Sequence, residues 1–243
     1  MKPFLFLGTR GEDAVADSEY DAVLRCSGLD ERDFRRVRLE REELGRLDLD
    51  DWSGIVLGGG PFNVSDPPEL KSATQHRVVK ELRDLAERVV EADFPFLGAC
   101  YGIGTLGQLR GGVVDKTYGE VIGAAAVTLT EEGLADPLLD GLPEGFWVFL
   151  GHKEAVARLP AGATVLASSV SCPVQAFRLG QRVYATQFHP ELDIEGICLR
   201  IDVYRHHGYY EPGRADELME LARVAVVTEP PTILARFVEM FAA

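Results

Sequence analysis

Short apolar runs bounded by Gly, Pro or Asp recur in the first hundred residues, at 4–7, 54–57 and 94–97. Each is too short for a helix and reads as a buried strand. Between the last two, residues 75–92 (QHRVVKELRDLAERVVEA) place Val78, Val79, Leu82, Leu85, Ala86, Val89 and Val90 on one face. That 3.6-residue spacing predicts an amphipathic helix. Strands alternating with helices predict βαβ units and a mainly parallel sheet covered on both faces. After Gly111-Gly112 the texture changes. AAAVTLT, FWVFLG, TVLASS, VQAFRLG and VYATQF read as successive strands joined by turns at Asp140-Gly141 and Leu179-Gly180. Residues 196–242 return to helical character, with Pro230-Pro231 opening ILARFVEMF. There is no internal repeat, low-complexity tract or linker, so one α/β domain over 1–243 is the expectation.

Composition narrows the function classes. With 46% apolar and 26% charged residues, the chain is of ordinary soluble type. A net charge of −14 argues against nucleic acid and against anionic membrane surfaces, both of which need a basic face. No stretch approaches the apolar length of a spanning helix, and MKPFLFLGTRGED turns polar too early for a secretory signal. Cys26, Cys100, Cys172 and Cys198 lack CxxC spacing, which suits reduced thiols in a cytoplasm rather than a disulfide framework or a zinc site.

The candidate chemistry begins at FPFLGACYGIG, residues 94–104. Gly98-Ala99-Cys100-Tyr101-Gly102 is the thiol counterpart of the G-x-S-x-G elbow, in which small neighbours permit a strained strand-to-helix turn. The following IGTLGQL can open a helix whose N-terminus faces the sulfur and favours its thiolate. A thiol nucleophile needs an oriented base. Of five histidines, His76 opens a helix facing solvent, and His206-His207 lacks acidic or Cys partners at ligand spacing. His189 ends the strand VYATQF, between Phe188 and Pro190, with Glu191 two residues on and able to fix its tautomer. Gly58-Gly59-Gly60-Pro61 follows another strand. It is neither a Walker A loop nor GxGxxG, but it can present backbone N–H groups to the crevice at the strand ends.

These segments together resemble the class I glutamine amidotransferases: GGGP at 58–61, GACYG at 98–102 and QFHPE at 187–191. The resemblance runs on through YGE at 118–120, DPLLDGLP at 136–143, GHKEAV at 151–156 and CPVQAFRLG at 172–180. It is nearest to the glutaminase domain of GMP synthetases and its free-standing relatives. It implies a flavodoxin-like fold with a mixed sheet. It also implies Cys100 as nucleophile, His189 as base and Glu191 as the orienting residue, with the backbone N–H groups of Gly60 and Tyr101 as oxyanion hole. Substrate binding falls to position 104 and to Lys153 and Glu154, with His152 as a pocket-wall or structural histidine. Two departures stand out: Gly104 replaces the Gln that relatives often carry there, and Gly151-His152-Lys153-Glu154 replaces a Ser-His-Gly-Asp-like segment.

The resemblance thus implies a cytoplasmic glutaminase that forms a γ-glutamyl thioester at Cys100, needs no metal or organic cofactor, and passes ammonia to a separate synthetase. The adenylating SGGxDS signature of the GMP synthetase partner domain does not occur in the sequence. Gly104 motivates an alternative, a γ-glutamyl hydrolase acting on another γ-glutamyl amide. A non-catalytic homologue is the third reading, against which the intact Cys–His–Glu set argues.

Overall fold

The structure is a computed structural model and describes residues 2–242. Strand β1 (Phe4–Gly8), helix α1 (Asp13–Ser27), β2 (Phe34–Arg38), β3 (Gly54–Leu57), helix α2 (Ala73–Glu91) and β4 (Phe96–Ala99) form the βαβ half. Their strands pair in parallel in the order β2-β1-β3-β4. The parallel run ends with β11 (Val183–Thr186), which lies beside β4. Beyond it the sheet turns antiparallel through β10 (Ala176–Leu179), β9 (Ala163–Ser168), β6 (Glu120–Leu129) and β7 (Gly145–His152). The result is one mixed nine-stranded sheet, with a two-stranded ribbon of β5 (Val113–Asp115) and β8 (Ala155–Arg158) beside it and a one-turn helix α4 (Glu131–Leu134) between β6 and β7.

The apolar runs have both faces covered. In β1, Leu5 and Leu7 join the α2 residues Val78, Leu82, Leu85 and Val89 on one side. Phe4 and Phe6 point to the other, against Ile233, Leu234 and Phe237 of α7 (Pro231–Phe241). Strands buried on both faces read as continuous hydrophobic runs, which is why the segments at 4–7 and 54–57 carry no alternation. A third cluster joins α5 (Ile194–Val203) and α6 (Ala215–Val224) to Ile122 and Phe149.

Two boundaries differ from the sequence reading. Helix α2 begins at Ala73, because Ser72 and Gln75 form a capping box across the first turn. Strand β4 begins at Phe96 because Pro95 has no N–H for the ladder, and it runs on to Ala99. That extension carries the chain to the carboxyl end of the parallel strands, where Cys100 sits. The order β2-β1-β3 also makes a topological switch, since β1 leads outward to β2 while β3 lies on its other side. Open α/β sheets leave a crevice at the carboxyl ends of the strands at such a point. Thr9 and Arg10 follow β1 there, Gly58 to Gly60 follow β3, Cys100 follows β4, and His189 lies just beyond β11.

Candidate active site

Cys100 joins β4 to the short helix α3 (Tyr101–Gly107) with φ 51° and ψ −86°, a left-handed backbone that a non-glycine residue adopts only under constraint. The constraint is visible. The Cys100 N–H donates to the Thr186 carbonyl at 2.8 Å, tying the turn to β11. A Cβ added at Gly98 would lie 2.8 Å from Gly102 Cα and 3.0 Å from its carbonyl carbon, so the turn closes on itself at these two glycines. The sequence reading of an elbow holds in backbone geometry.

The electrostatics around the sulfur run against the thiolate that the helix end favours. Burial pushes the Cys100 thiol up to about 12, against the opposing pull of Arg10 and Arg200. Burial thus favours the thiol form, and a base is needed to take its proton.

His189 is held by its own N–H, which donates to the Phe149 carbonyl at 3.0 Å, and by Nδ1, 2.8 Å from Glu191 Oε1. A carboxylate can only accept, so Nδ1 carries the hydrogen and Nε2 presents a lone pair. Burial pushes His189 below its ordinary value against the pull of Glu191, with Arg200 and Arg10 pushing the same way as burial. Burial opposes ionisation of Glu191, yet His189 and Arg200 outweigh it and hold the carboxyl far below the carboxylate range. The glycine loop lies against the ring. A Cβ at Gly59 would collide with His189 Cε1 and come within 3.1 Å of Nε2 and 2.8 Å of Arg10 Nη2.

Three charged residues behind this pair escaped the sequence reading. Arg200 Nη2 lies 2.8 Å from Glu191 Oε1 and 3.2 Å from Glu19 Oε1. Arg10 Nε donates to the same Glu19 oxygen at 2.8 Å, and the Gly59 N–H reaches it at 3.2 Å. A signal was present. Glu19 falls on the face of α1 that buries Val15, Ala16, Ala22 and Val23, and Arg200 on the face of α5 that buries Ile197 and Ile201. A charge on an apolar helix face needs a buried partner.

Cys100 lies between two small hollows of about 20 and 10 Å³, each on the scale of a single water. The first is lined by His189, Arg10, Arg200 and Tyr204; the second by Asn63, Gly104, Lys153, Glu154 and Gln187. Gly60 and Tyr209 line both. The Tyr209 hydroxyl donates to the Gly60 carbonyl at 3.4 Å, and Lys153 Nζ sits 4.7 Å from the Tyr209 ring centre while donating to the His207 carbonyl at 3.2 Å. Tyr101 opens α3, so its N–H has no acceptor within the helix.

The structure thus brings Cys100, His189, Glu191, Gly60, Tyr101, Gly104, Lys153 and Glu154 to one locality, with differing orientations. The Glu154 carboxylate accepts from the N–H groups of Val64 and Ser65 at 2.8 and 2.9 Å and from Ser65 Oγ at 2.6 Å, so it holds the loop after GGGP. It also fills the space beside residue 104. A Cβ at Gly104 would lie 3.1 Å from Glu154 Oε1 and 3.2 Å from Val64 Cγ2. His152 lines the second hollow and is fixed at both ring nitrogens. Its Nδ1 faces the Glu154 carbonyl at 2.9 Å and its Nε2 faces Glu120 at 2.8 Å.

Two groups of metal-type donors draw together among the described residues, Glu19–His189–Glu191 and Glu120–His152–Cys172. In the first, both carboxylates already face arginines. In the second, Glu120 already faces His152 and accepts from Gln175 and Ser171.

The open α/β sheet thus carries a thiol on a left-handed turn and, at a neighbouring strand end, a histidine bound to a carboxylate. The family model for "Glutamine amidotransferase class-I" matches residues 24–196. This chain belongs to that family. It is 33% identical over 154 residues to a GMP synthase [glutamine-hydrolyzing] of Thermosipho melanesiensis, covering 63% of this chain and 26% of that protein. It is 35% identical over 164 residues to the corresponding protein of Lactobacillus delbrueckii subsp. bulgaricus, covering 67% and 28%. The matched region is therefore little more than a quarter of these relatives' length. In fold it is similar to a glutamine amidotransferase from Thermotoga maritima, with a TM-score of 0.75 at 20% identity over 99% of this chain and 98% of that one. No helix among the described residues is long and apolar enough to cross a membrane.

Proposed function

We propose that the chain hydrolyses the side-chain amide of glutamine at Cys100 and delivers ammonia to a separate synthetase in the cytoplasm. The observation that carries this is the placement of Cys100 and of the Glu191-bound His189 along one hollow. His189 Nε2 takes the thiol proton as sulfur attacks the carboxamide carbon. The oxyanion is met by the N–H groups of Gly60 and Tyr101. The imidazolium returns the proton to the departing nitrogen, leaving ammonia and a γ-glutamyl thioester. Water, deprotonated by the same imidazole, then attacks the thioester, releasing glutamate and the thiol. These steps require protein groups and water only. An acceptor synthetase is supported by the relatives' name, GMP synthase [glutamine-hydrolyzing].

One observation favours a second reading. Glu154 occupies the space beside Gly104, which reshapes the lobe assigned to the substrate's amino-acid end and points to a γ-glutamyl amide other than glutamine. Comparing kcat/KM for ammonia release from glutamine with kcat/KM for γ-glutamyl amines decides between them. Incubation with a glutamine-like diazoketone, followed by peptide mass spectrometry, tests the nucleophile. Label on Cys100 is the expected result, and a chain that neither labels nor turns over either substrate class would be the non-catalytic homologue.

A further inference from the structure

We propose that Arg200, held by Glu19, is a positioning residue for His189. With Arg10 it balances two buried carboxylates, so that the imidazole beside Cys100 stays neutral and able to accept a proton. The inference rests on the reading of His189 as base.

The geometry is a chain of shared atoms. One oxygen, Glu191 Oε1, meets both His189 Nδ1 and Arg200 Nη2 at 2.8 Å. One nitrogen, Arg200 Nη2, bridges Glu191 to Glu19. One oxygen, Glu19 Oε1, meets Arg200, Arg10 Nε and the Gly59 N–H. Glu19 thereby also fixes the backbone that packs on the His189 ring. Every member of the chain is buried.

The charges facing His189 come from four places: Glu191 on its own loop, Arg200 on α5, Glu19 on α1, and Arg10 after β1. Cys100 and Tyr209 line the same hollow and Tyr204 bonds to Arg10; burial raises all three, which favours their neutral forms. Two positive and two negative groups then sum to zero. A lone buried carboxylate at Nδ1 would favour the imidazolium, which cannot act as base. Arg200 on the same oxygen offsets that preference without breaking the hydrogen bond that sets the tautomer. A purely structural role fits less well. Buried ion pairs are weak contributors to stability, and Arg200 Nη1 is left buried without a partner.

The opposite signs of two substitutions provide the test. Arg200→Met leaves a net negative environment, and Glu19→Gln a net positive one. In the full-length protein, the His189 Cε1–H resonance, assigned by its loss in His189→Gln, is titrated by NMR alongside the pH profile of kcat/KM. The expected result is a midpoint higher by about one pH unit or more in Arg200→Met and lower in Glu19→Gln, with Arg200→Lys close to wild type. A structural role would lower activity at every pH without moving either midpoint. Unmoved midpoints, or shifts of one sign in both variants, overturn the proposal. If Arg200→Met fails to fold by circular dichroism, the downward shift in Glu19→Gln and the unchanged midpoint in Arg200→Lys decide alone. The resonance needs no turnover. Opposite shifts in a protein that does not hydrolyse glutamine would support the charge balance while overturning the glutaminase reading.

Discussion

At Gly59 the loop after β3 has no room for even a methyl group, because a Cβ would enter the His189 ring. Gly59→Ala should therefore push the imidazole out of line with Cys100. Misplacement of this kind costs on the order of 10²-fold in kcat. Thermal denaturation should show a much smaller relative change, separating displaced chemistry from lost fold. Cys100→Ala should abolish both labelling and turnover while Tm stays near wild type, since the thiol contributes little core volume; Cys26→Ser should keep activity. Glu191→Gln should damage activity less than His189→Ala, because the carboxylate orients and stabilises the base rather than accepting the thiol proton. Equal and complete loss in both folded variants would mean that Glu191 does more.

Between elements, the decisive contacts are those that shape the second hollow. Glu154 leaves β7 just before β8 and reaches back to the 64–65 turn, so residue 104 on α3 faces an occupied space. Installing the Gln of the family pattern should overpack this junction, costing about 1–3 kcal/mol of stability. KM for glutamine should rise, as the GGGP loop is displaced. A Gly104→Gln variant with unchanged Tm and lower KM would show that Glu154 yields and that only a substrate contact is missing. The segment after α5 matters equally. Tyr209, pinned on Gly60 and Lys153, lies between hollows too small for an amino acid. Tyr209→Ala should speed alkylation of Cys100 by iodoacetamide, measured under matched pH, by opening the approach to the thiol.

For the whole molecule, the buried charges make stability depend on pH in two windows. His189 is depressed below its ordinary value of 6.5, so the unfolded chain binds the proton more readily. Its contribution is fully present above that value and is lost as pH falls through the window beneath it. Glu191 is depressed below 4.5, so its contribution is present above that value and is lost further into acid. Tm should fall in two stages on acidification, and His189→Gln should remove the upper stage and shrink the lower one, because His189 helps to hold Glu191 down. Local patterns determined much of this protein by themselves. The double-faced runs at β1 and β3, the amphipathic α2 and the Gly98–Gly102 spacing each express a backbone or burial requirement met within a few residues. The closeness of His189 to Glu191 is likewise written into positions two residues apart. Tertiary structure decided what depends on long-range register. Arg200 meets Glu19 across 181 residues only because α1 and α5 pack on the same end of the sheet. Glu154 turns to a loop 89 residues away, although its place in GHKEAV suggests the substrate. Desolvation set the Cys100 thiol against the helix end that the sequence offered it, because burial is a property of the assembled fold and not of any segment.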